Sequence, residues 1–332
     1  MRRFVALLTV VTLAGCMPAP QAPPPAAQNL LHYYDYSPVP LKGTLSSTDA
    51  GDGYRVEHWT LTPADGTALD SIRLDWYRVD RPGRHPAVLM SPILAGNDLY
   101  VREFARFYAA RRMHAVMVYR KKEAFSAQRP LSDIEGHLHD SVVQLRRVLD
   151  WLETKESVDP QRIGAFAISM GAILTTLLTA VEPRIRCAVL GLAAGHVPEI
   201  LMTSQDKGIL KRRNNYLQEN KVNPEELLAR LRGVIRSEPL AAAALIPPEK
   251  VLMIAGRFDR VLGFQRSLDL WRAMGRPRLI VLPTGHYTAY LAAPYLKIAT
   301  YSFLKRSFKS TLRKTVPGAA FRPRAVATQS SG

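Results

Sequence analysis

The chain has 332 residues, with 45 Lys+Arg against 28 Asp+Glu for a formal net charge of +17, and is 47% hydrophobic. That is globular composition, and a chain of this length buries about three quarters of its unfolded surface in one large domain or two modest ones. Two cysteines exclude a disulfide scaffold. A polytopic membrane protein is excluded because the one apolar run near the N-terminus is far shorter than the roughly 20 residues that span a bilayer.

Met1-Arg2-Arg3 is positive, Phe4 to Ala14 is apolar and small residues follow, which is the pattern of an export signal over residues 1–15. Leu13-Ala14-Gly15-Cys16 resembles the lipobox of bacterial lipoproteins, which implies cleavage before Cys16 and lipid on that residue. Each buried CH2 contributes about 0.8 kcal/mol, so several acyl chains hold a protein at a membrane. Met17, where aspartate would resemble an inner-membrane retention signal, leans the resemblance toward the periplasmic face of the outer membrane. Residues 16–50 are expected to be a spacer. Pro18, Pro20, Pro23, Pro24 and Pro25 favour extended polyproline II, and the stretch around Tyr33, Tyr34 and Tyr36 has no clear period.

The body alternates strands with helices. Ile72, Leu74 and Trp76 alternate with Arg73, Asp75 and Tyr77, which predicts a half-exposed antiparallel strand with Tyr54 to Leu61 as its partner. Continuous apolar runs follow at Ala87–Met90, Ala115–Val118, Ile163–Ile168, Cys187–Leu192, Val251–Ala255 and Leu279–Leu282, as in parallel strands buried on both faces. Helical stretches lie between them: Val101–Arg111, Ile134–Glu153, Ala172–Ala180, Gln265–Met274 and Ala289–Phe308. This order predicts an open, mostly parallel α/β sheet over residues 51–310, wrapped on both faces. Cys187 reads as a small buried hydrophobe, and Trp76 and Trp151 as packing residues.

Three loops carry chemistry. Ala167-Ile168-Ser169-Met170-Gly171 leads from a strand directly into a helix, with small residues two before and two after the serine, so the turn projects a hydroxyl. Gly256-Arg257-Phe258-Asp259 places an acid after a late strand, and Pro283-Thr284-Gly285-His286 places a histidine after the last one. All three residues are expected at carboxyl ends of strands, where ligands bind in open sheets.

With the lead-in Asp159-Pro160-Gln161-Arg162-Ile163-Gly164, this ordered set resembles the α/β-hydrolase superfamily, in particular its dienelactone-hydrolase-like and prolyl-oligopeptidase-like branches. The resemblance implies an eight-stranded-type sheet and a Ser169, Asp259, His286 triad. In it His286 takes the serine proton as the hydroxyl attacks a carbonyl, Asp259 fixes the imidazole, and an acyl-enzyme forms and is hydrolysed. The backbone N–H of Met170 is expected to give one oxyanion donor. The usual His-Gly pair for the second is absent from Ser91-Pro92-Ile93-Leu94-Ala95-Gly96-Asn97; Pro92 has no N–H, which leaves Ile93, with Leu94 behind it.

Residues about 195–247 form an insertion where such enzymes carry a helical cap, and Asn223-Pro224-Glu225-Glu226 is a well-formed helix start within it. His137 and His139 point to different faces of a helix, so no metal site and no cofactor are expected. From Phe303 to Gly332 there are seven Lys and Arg and no acid, with residues 311–332 read as a basic, disordered tail. Anionic lipid or envelope phosphate is a more coherent partner for this charge than nucleic acid, for which no motif is visible. The expected activity is hydrolysis of a small or lipid-like ester. A peptidase, an acyltransferase, or a non-catalytic binding lipoprotein on the same fold are the alternatives.

Overall fold

The computed structural model describes residues 25–67, 69–91, 99–119 and 125–314. An antiparallel flank of β1 (Leu41–Ala50), β2 (Tyr54–Pro63) and β3 (Ile72–Val79) joins six parallel strands. These are β4 (His85–Met90), β5 (His114–Val118), β6 (Val158–Ile168), β7 (Ile185–Gly191), β8 (Val251–Gly256) and β9 (Arg278–Leu282). The sheet order is β1-β2-β3-β5-β4-β6-β7-β8-β9.

Helices cover both faces. On one lie α2 (Leu99–Ala109) and α10 (Ala293–Lys314), and on the other α3 (Ser132–Glu153), α4 (Met170–Val181) and α9 (Phe264–Ala273). The continuous apolar runs follow from this. In β4, Val88 and Met90 face the α2 core with Phe104 and Phe166, whereas Ala87 and Leu89 face the α3 core with Leu145 and Leu174. Cys187 belongs to the α2 core, where burial pushes its thiol up to about 12. Trp151 packs edge-to-face on both Trp59 and Trp76.

β4 pairs in parallel with both β5 and β6. The chain winds one way from β4 to β5 and the other way from β6 onward, which makes the β4/β6 boundary the switch point at whose carboxyl end ligands bind in open sheets.

Four expectations need correction. Residues 25–50 are not a spacer, because α1 (Pro25–Tyr33) and β1 are part of the fold: Leu30 and Tyr34 are buried, and β1 pairs with β2 along its length. The helix also replaces polyproline II from Pro25 onward. That added edge strand makes nine strands rather than eight. β3 is not half-exposed either, since Asp75 and Tyr77 are buried beneath α2 along with Leu74 and Trp76 on the other face. Finally, α10 continues to Lys314, beyond the expected start of the tail at 311; residues 315–332 lie outside the described residues, as does Cys16.

The insertion folds as α5 (Val197–Thr203), α6 (Lys207–Asn220), α7 (Pro224–Val234) and α8 (Pro239–Ala243). Asn223 caps α7 as expected, its Oδ1 accepting from the Glu226 N–H at 2.8 Å. The far end of the insertion is tied down by one carboxylate. Buried Glu135 on α3 accepts from Tyr33 Oη (2.7 Å), Ser237 Oγ (2.6 Å) and the backbone N–H groups of Arg236 (2.8 Å) and Ser237 (2.9 Å). Removing it strands four donors, the two of Ser237 buried and those of Tyr33 and Arg236 partly so, and Glu135→Ala is expected to cost about 3 kcal/mol, read as a lower urea midpoint at unchanged slope.

Candidate active site

Ser169 joins β6 to α4 with φ 59° and ψ −128°. An L-residue at positive φ outside the left-handed helical well carries about 1–3 kcal/mol of strain, and such strain collects at functional sites. The surroundings enforce it: the Ser169 N–H donates to Gly191 O at 2.9 Å, while its carbonyl accepts from Ala172 (2.8 Å) and Ile173 (3.1 Å). Ser169 stands at the N-cap of α4, yet its side chain makes no capping bond. Its Oγ lies 2.9 Å from His286 Nε2 instead. An ordinary helix cap would bond inward to the backbone; this hydroxyl faces the imidazole.

The acid and histidine loops are built as a unit. β6 and β9 are three strand spacings apart, about 14 Å, so the histidine loop must return across β8 to reach the serine. It does so by lying on the acid loop: the Arg257 N–H donates to Leu282 O at 2.8 Å and the Phe258 N–H to Thr284 O at 3.0 Å. Gly256 permits this approach, since a Cβ there would sit 2.9 Å from the Thr284 carbonyl oxygen. Gly256→Ala is therefore expected to displace His286 and lower kcat/KM on a soluble ester by about 10²-fold.

Asp259 Oδ2 is 2.7 Å from His286 Nδ1, and its Oδ1 accepts from the Val261 (2.8 Å) and Leu262 (3.0 Å) N–H groups. Burial by itself raises this carboxyl, but the hydrogen bond and charge of His286, with the two backbone donors, outweigh it and hold Asp259 below its ordinary range. An ionised carboxylate only accepts, so Nδ1 carries the ring proton and Nε2 presents its lone pair to Ser169. The predicted residues Ser169, His286 and Asp259 thus form one continuous chain of hydrogen bonds.

Met170 is the first residue of α4, where the backbone N–H groups have no intrahelical acceptor and the helix dipole favours negative charge. Ile93 and its alternative Leu94 lie outside the described residues. The strand end leading to them is anchored, because Ser91 Oγ at the end of β4 lies 2.6 Å from Thr175 Oγ1 on α4. Above the serine opens a cavity of about 1750 Å³, lined by Ile200, Leu201 and Ile209 of the cap, by Phe104 of α2, and by Ile168 and Tyr119 at the ends of β6 and β5.

Two features were not anticipated. Tyr287, next to His286, donates from its hydroxyl to Asp206, which caps α6 by accepting from the Ile209 N–H at 2.9 Å. This joins the cap to the histidine loop. Burial, then Asp206, pushes the Tyr287 phenol up to about 12. The adjacency of Tyr287 to His286 was visible in the sequence, but its partner 81 positions away was not. At the other end of the cavity, buried Asp75 bonds His58 Nδ1 (2.6 Å) and Tyr119 Oη (2.6 Å). Of the two histidines weighed as metal ligands, His139 bonds the Tyr33 carbonyl at 3.0 Å and stacks on Tyr34. Among the described residues no group of three His, Cys, Asp or Glu is placed to hold a metal.

No family model matches the chain. An uncharacterized protein of Mycobacterium tuberculosis is 25% identical over 175 residues, which is 52% of this chain and 39% of that protein, so the match spans well under half of the relative's length. Among solved structures, an acetyl xylan esterase of a Thermoanaerobacterium species superposes with a TM-score of 0.62 at 15% identity, over 85% of this chain and 94% of its own. One from a Paenibacillus species gives 0.64 at 15%, over 84% and 92%. A glucuronoyl esterase of Teredinibacter turnerae gives 0.58 at 14%, over 86% and 84%. Identities this low speak to architecture, and with the mostly parallel nine-stranded sheet and its flanking helices they establish that the chain has an α/β-hydrolase fold.

Proposed function

We propose that the protein is a serine hydrolase that cleaves a carboxylic ester through Ser169, His286 and Asp259. The observation that carries this reading is the strained Ser169, whose hydroxyl is turned from its helix to Nε2 of a histidine that a buried carboxylate orients. The esterases among the structural neighbours are consistent with it. In the reaction Nε2 takes the hydroxyl proton as Oγ attacks the ester carbonyl, and the Met170 N–H donates to the oxyanion. The imidazolium then returns the proton to the departing alkoxide, leaving an acyl-serine that water, activated by the same Nε2, hydrolyses. Ester rather than peptide is preferred because the insertion is four helices, not the separate large domain that prolyl-oligopeptidase-like enzymes carry.

The lipobox-like segment Leu13-Ala14-Gly15-Cys16 supports a lipid anchor at Cys16 in a bacterial envelope. The test of catalysis is a fluorophosphonate probe, read by intact mass on the full chain. One adduct that disappears in Ser169→Ala supports an activated serine; no adduct on the folded protein rejects it in favour of a binding protein.

A further inference from the structure

At the mouth of the cavity stand apolar side chains that the other described residues leave exposed. Leu99, Tyr287 and Tyr290 line the cavity yet face solvent; Leu291 follows Tyr290 in the chain, Phe258 stands on the acid loop whose backbone pairs with the histidine loop, and Ile298 follows Lys297 on α10; all six are between 59% and 68% exposed. Their positions follow from how the site is built. Phe258 precedes Asp259 and Tyr287 follows His286, so both loops that bear the triad partners turn a ring outward. Leu291 lies in the 3-10 turn Thr288–Ala292 that leads into α10, and Tyr295 and Ile298, three apart on α10 and so on one side of it, are exposed beyond that turn. Lys297 Nζ bonds Glu103 Oε2 at 3.0 Å, and Glu103 is one turn from Leu99, which joins the α10 side of the rim to the α2 side. Several large apolar side chains exposed on the elements that frame one opening mark an interaction surface.

Charge identifies what it meets. No acidic residue follows Asp269 anywhere in the chain, whereas eleven Lys and Arg do. Arg257 and Arg260 flank Phe258, and Lys207 and Lys211 stand on α6, whose Gly208 and Arg212 line the mouth; these four cations are exposed. Among the described residues the acids beside these side chains are already engaged, Asp206 by Tyr287 and Glu103 by Lys297 and Arg106. A second copy of the chain would bring the same positive rim and be repelled. Aliphatic side chains and tyrosines set among cations match an anionic bilayer surface, where tyrosine rings sit at headgroup level and basic residues at the phosphates.

We propose that this rim docks on an anionic phospholipid surface and that the cavity draws its substrate from it. The substrate is then an amphiphilic ester whose acyl chain leaves the bilayer directly for the apolar walls beneath the cap. This rests on the hydrolase reading above and narrows its substrate class. It is independent of the Cys16 anchor, because the docking groups are those around the site itself.

The test uses the full chain carrying Cys16→Ser, so that no lipid is attached, with buried Cys187 leaving an introduced cysteine as the labelled one. A nitrobenzoxadiazole fluorophore placed by Leu291→Cys is expected to brighten and shift to the blue on phosphatidylglycerol vesicles, and much less on phosphatidylcholine. The same label placed by Glu156→Cys, exposed before β6 at the opposite end of the sheet, is expected not to respond. A response at both positions or at neither overturns the proposal, and an equal response to both lipids overturns its electrostatic half.

In parallel, Leu291→Asp and Ile298→Asp, neither of which lines the cavity, are expected to slow hydrolysis of a vesicle-embedded long-chain ester by about tenfold each. A water-soluble butyrate ester should be cleaved at the parent rate. If the parent cleaves the soluble ester and the variants cleave the embedded one as fast as it does, this inference alone fails. If the parent cleaves neither, the hydrolase reading fails with it.

Discussion

Ser169→Ala is expected to lower kcat on a soluble ester by about 10⁴- to 10⁶-fold, the loss seen when the nucleophile of a concerted triad is removed. The magnitude follows from the absence of a substitute. No other hydroxyl is within hydrogen-bond distance of His286 Nε2 among the described residues, so the residual rate comes only from binding and oxyanion donors. A second substitution separates chemistry from folding. Ser169→Gly removes the same hydroxyl but relieves the φ of 59°, and should raise unfolding stability by about 1 kcal/mol over Ser169→Ala while being equally inactive. Equal stability of the two variants would mean that the elbow stores no strain, and retained activity in either would remove Ser169 from the mechanism.

Asp259→Asn is expected to reduce kcat by about 10⁴-fold without displacing the ring. An amide in place of Oδ2 can donate to Nδ1, which moves the imidazole proton to Nε2; there it faces the serine as a donor and cannot accept the hydroxyl proton. Stability should change in a pH-dependent way. The folded carboxyl is held below its unfolded value of about 3.9, so its contribution is complete above that pH and is lost as pH falls through the folded value. Acid unfolding of the parent should therefore be steeper than that of Asp259→Asn below about pH 4. Parallel curves would show that the carboxylate is not ionised in the folded site, and with it the tautomer argument would fall.

Residues with local signatures are legible in the sequence. The apolar runs of β4 and β6 read as strands because both faces are buried, and the small residues around Ser169 marked a strand-to-helix turn. The Asn223 cap was equally plain. Misreadings came where long-range pairing decided. Residues 41–50 read as spacer because eight of the ten are exposed in β1, which is held by hydrogen bonds to β2 rather than by an apolar face. The tyrosines before it had no period because Tyr33 and Tyr34 reach Glu135 and Ser237, 102 and 203 positions away. Asp75 read as a solvent-facing strand position since nothing local announces that His58 and Tyr119 will close over it.

The sequence by itself determined which residue types were available, in what order, and at the ends of which strands: a serine, an acid and a histidine, each after an apolar run. Those are consequences of local geometry, in which backbone preference and burial period act over a few residues. Only the tertiary structure decided that the three meet within 2.9 Å, because that depends on Gly256 letting one loop lie on another and on strands that are neighbours only after the sheet has formed. It also decided that exposed Leu99, Tyr287 and Tyr290, from segments nearly two hundred residues apart, line one cavity, since no pattern within either segment records which face the other turns toward it.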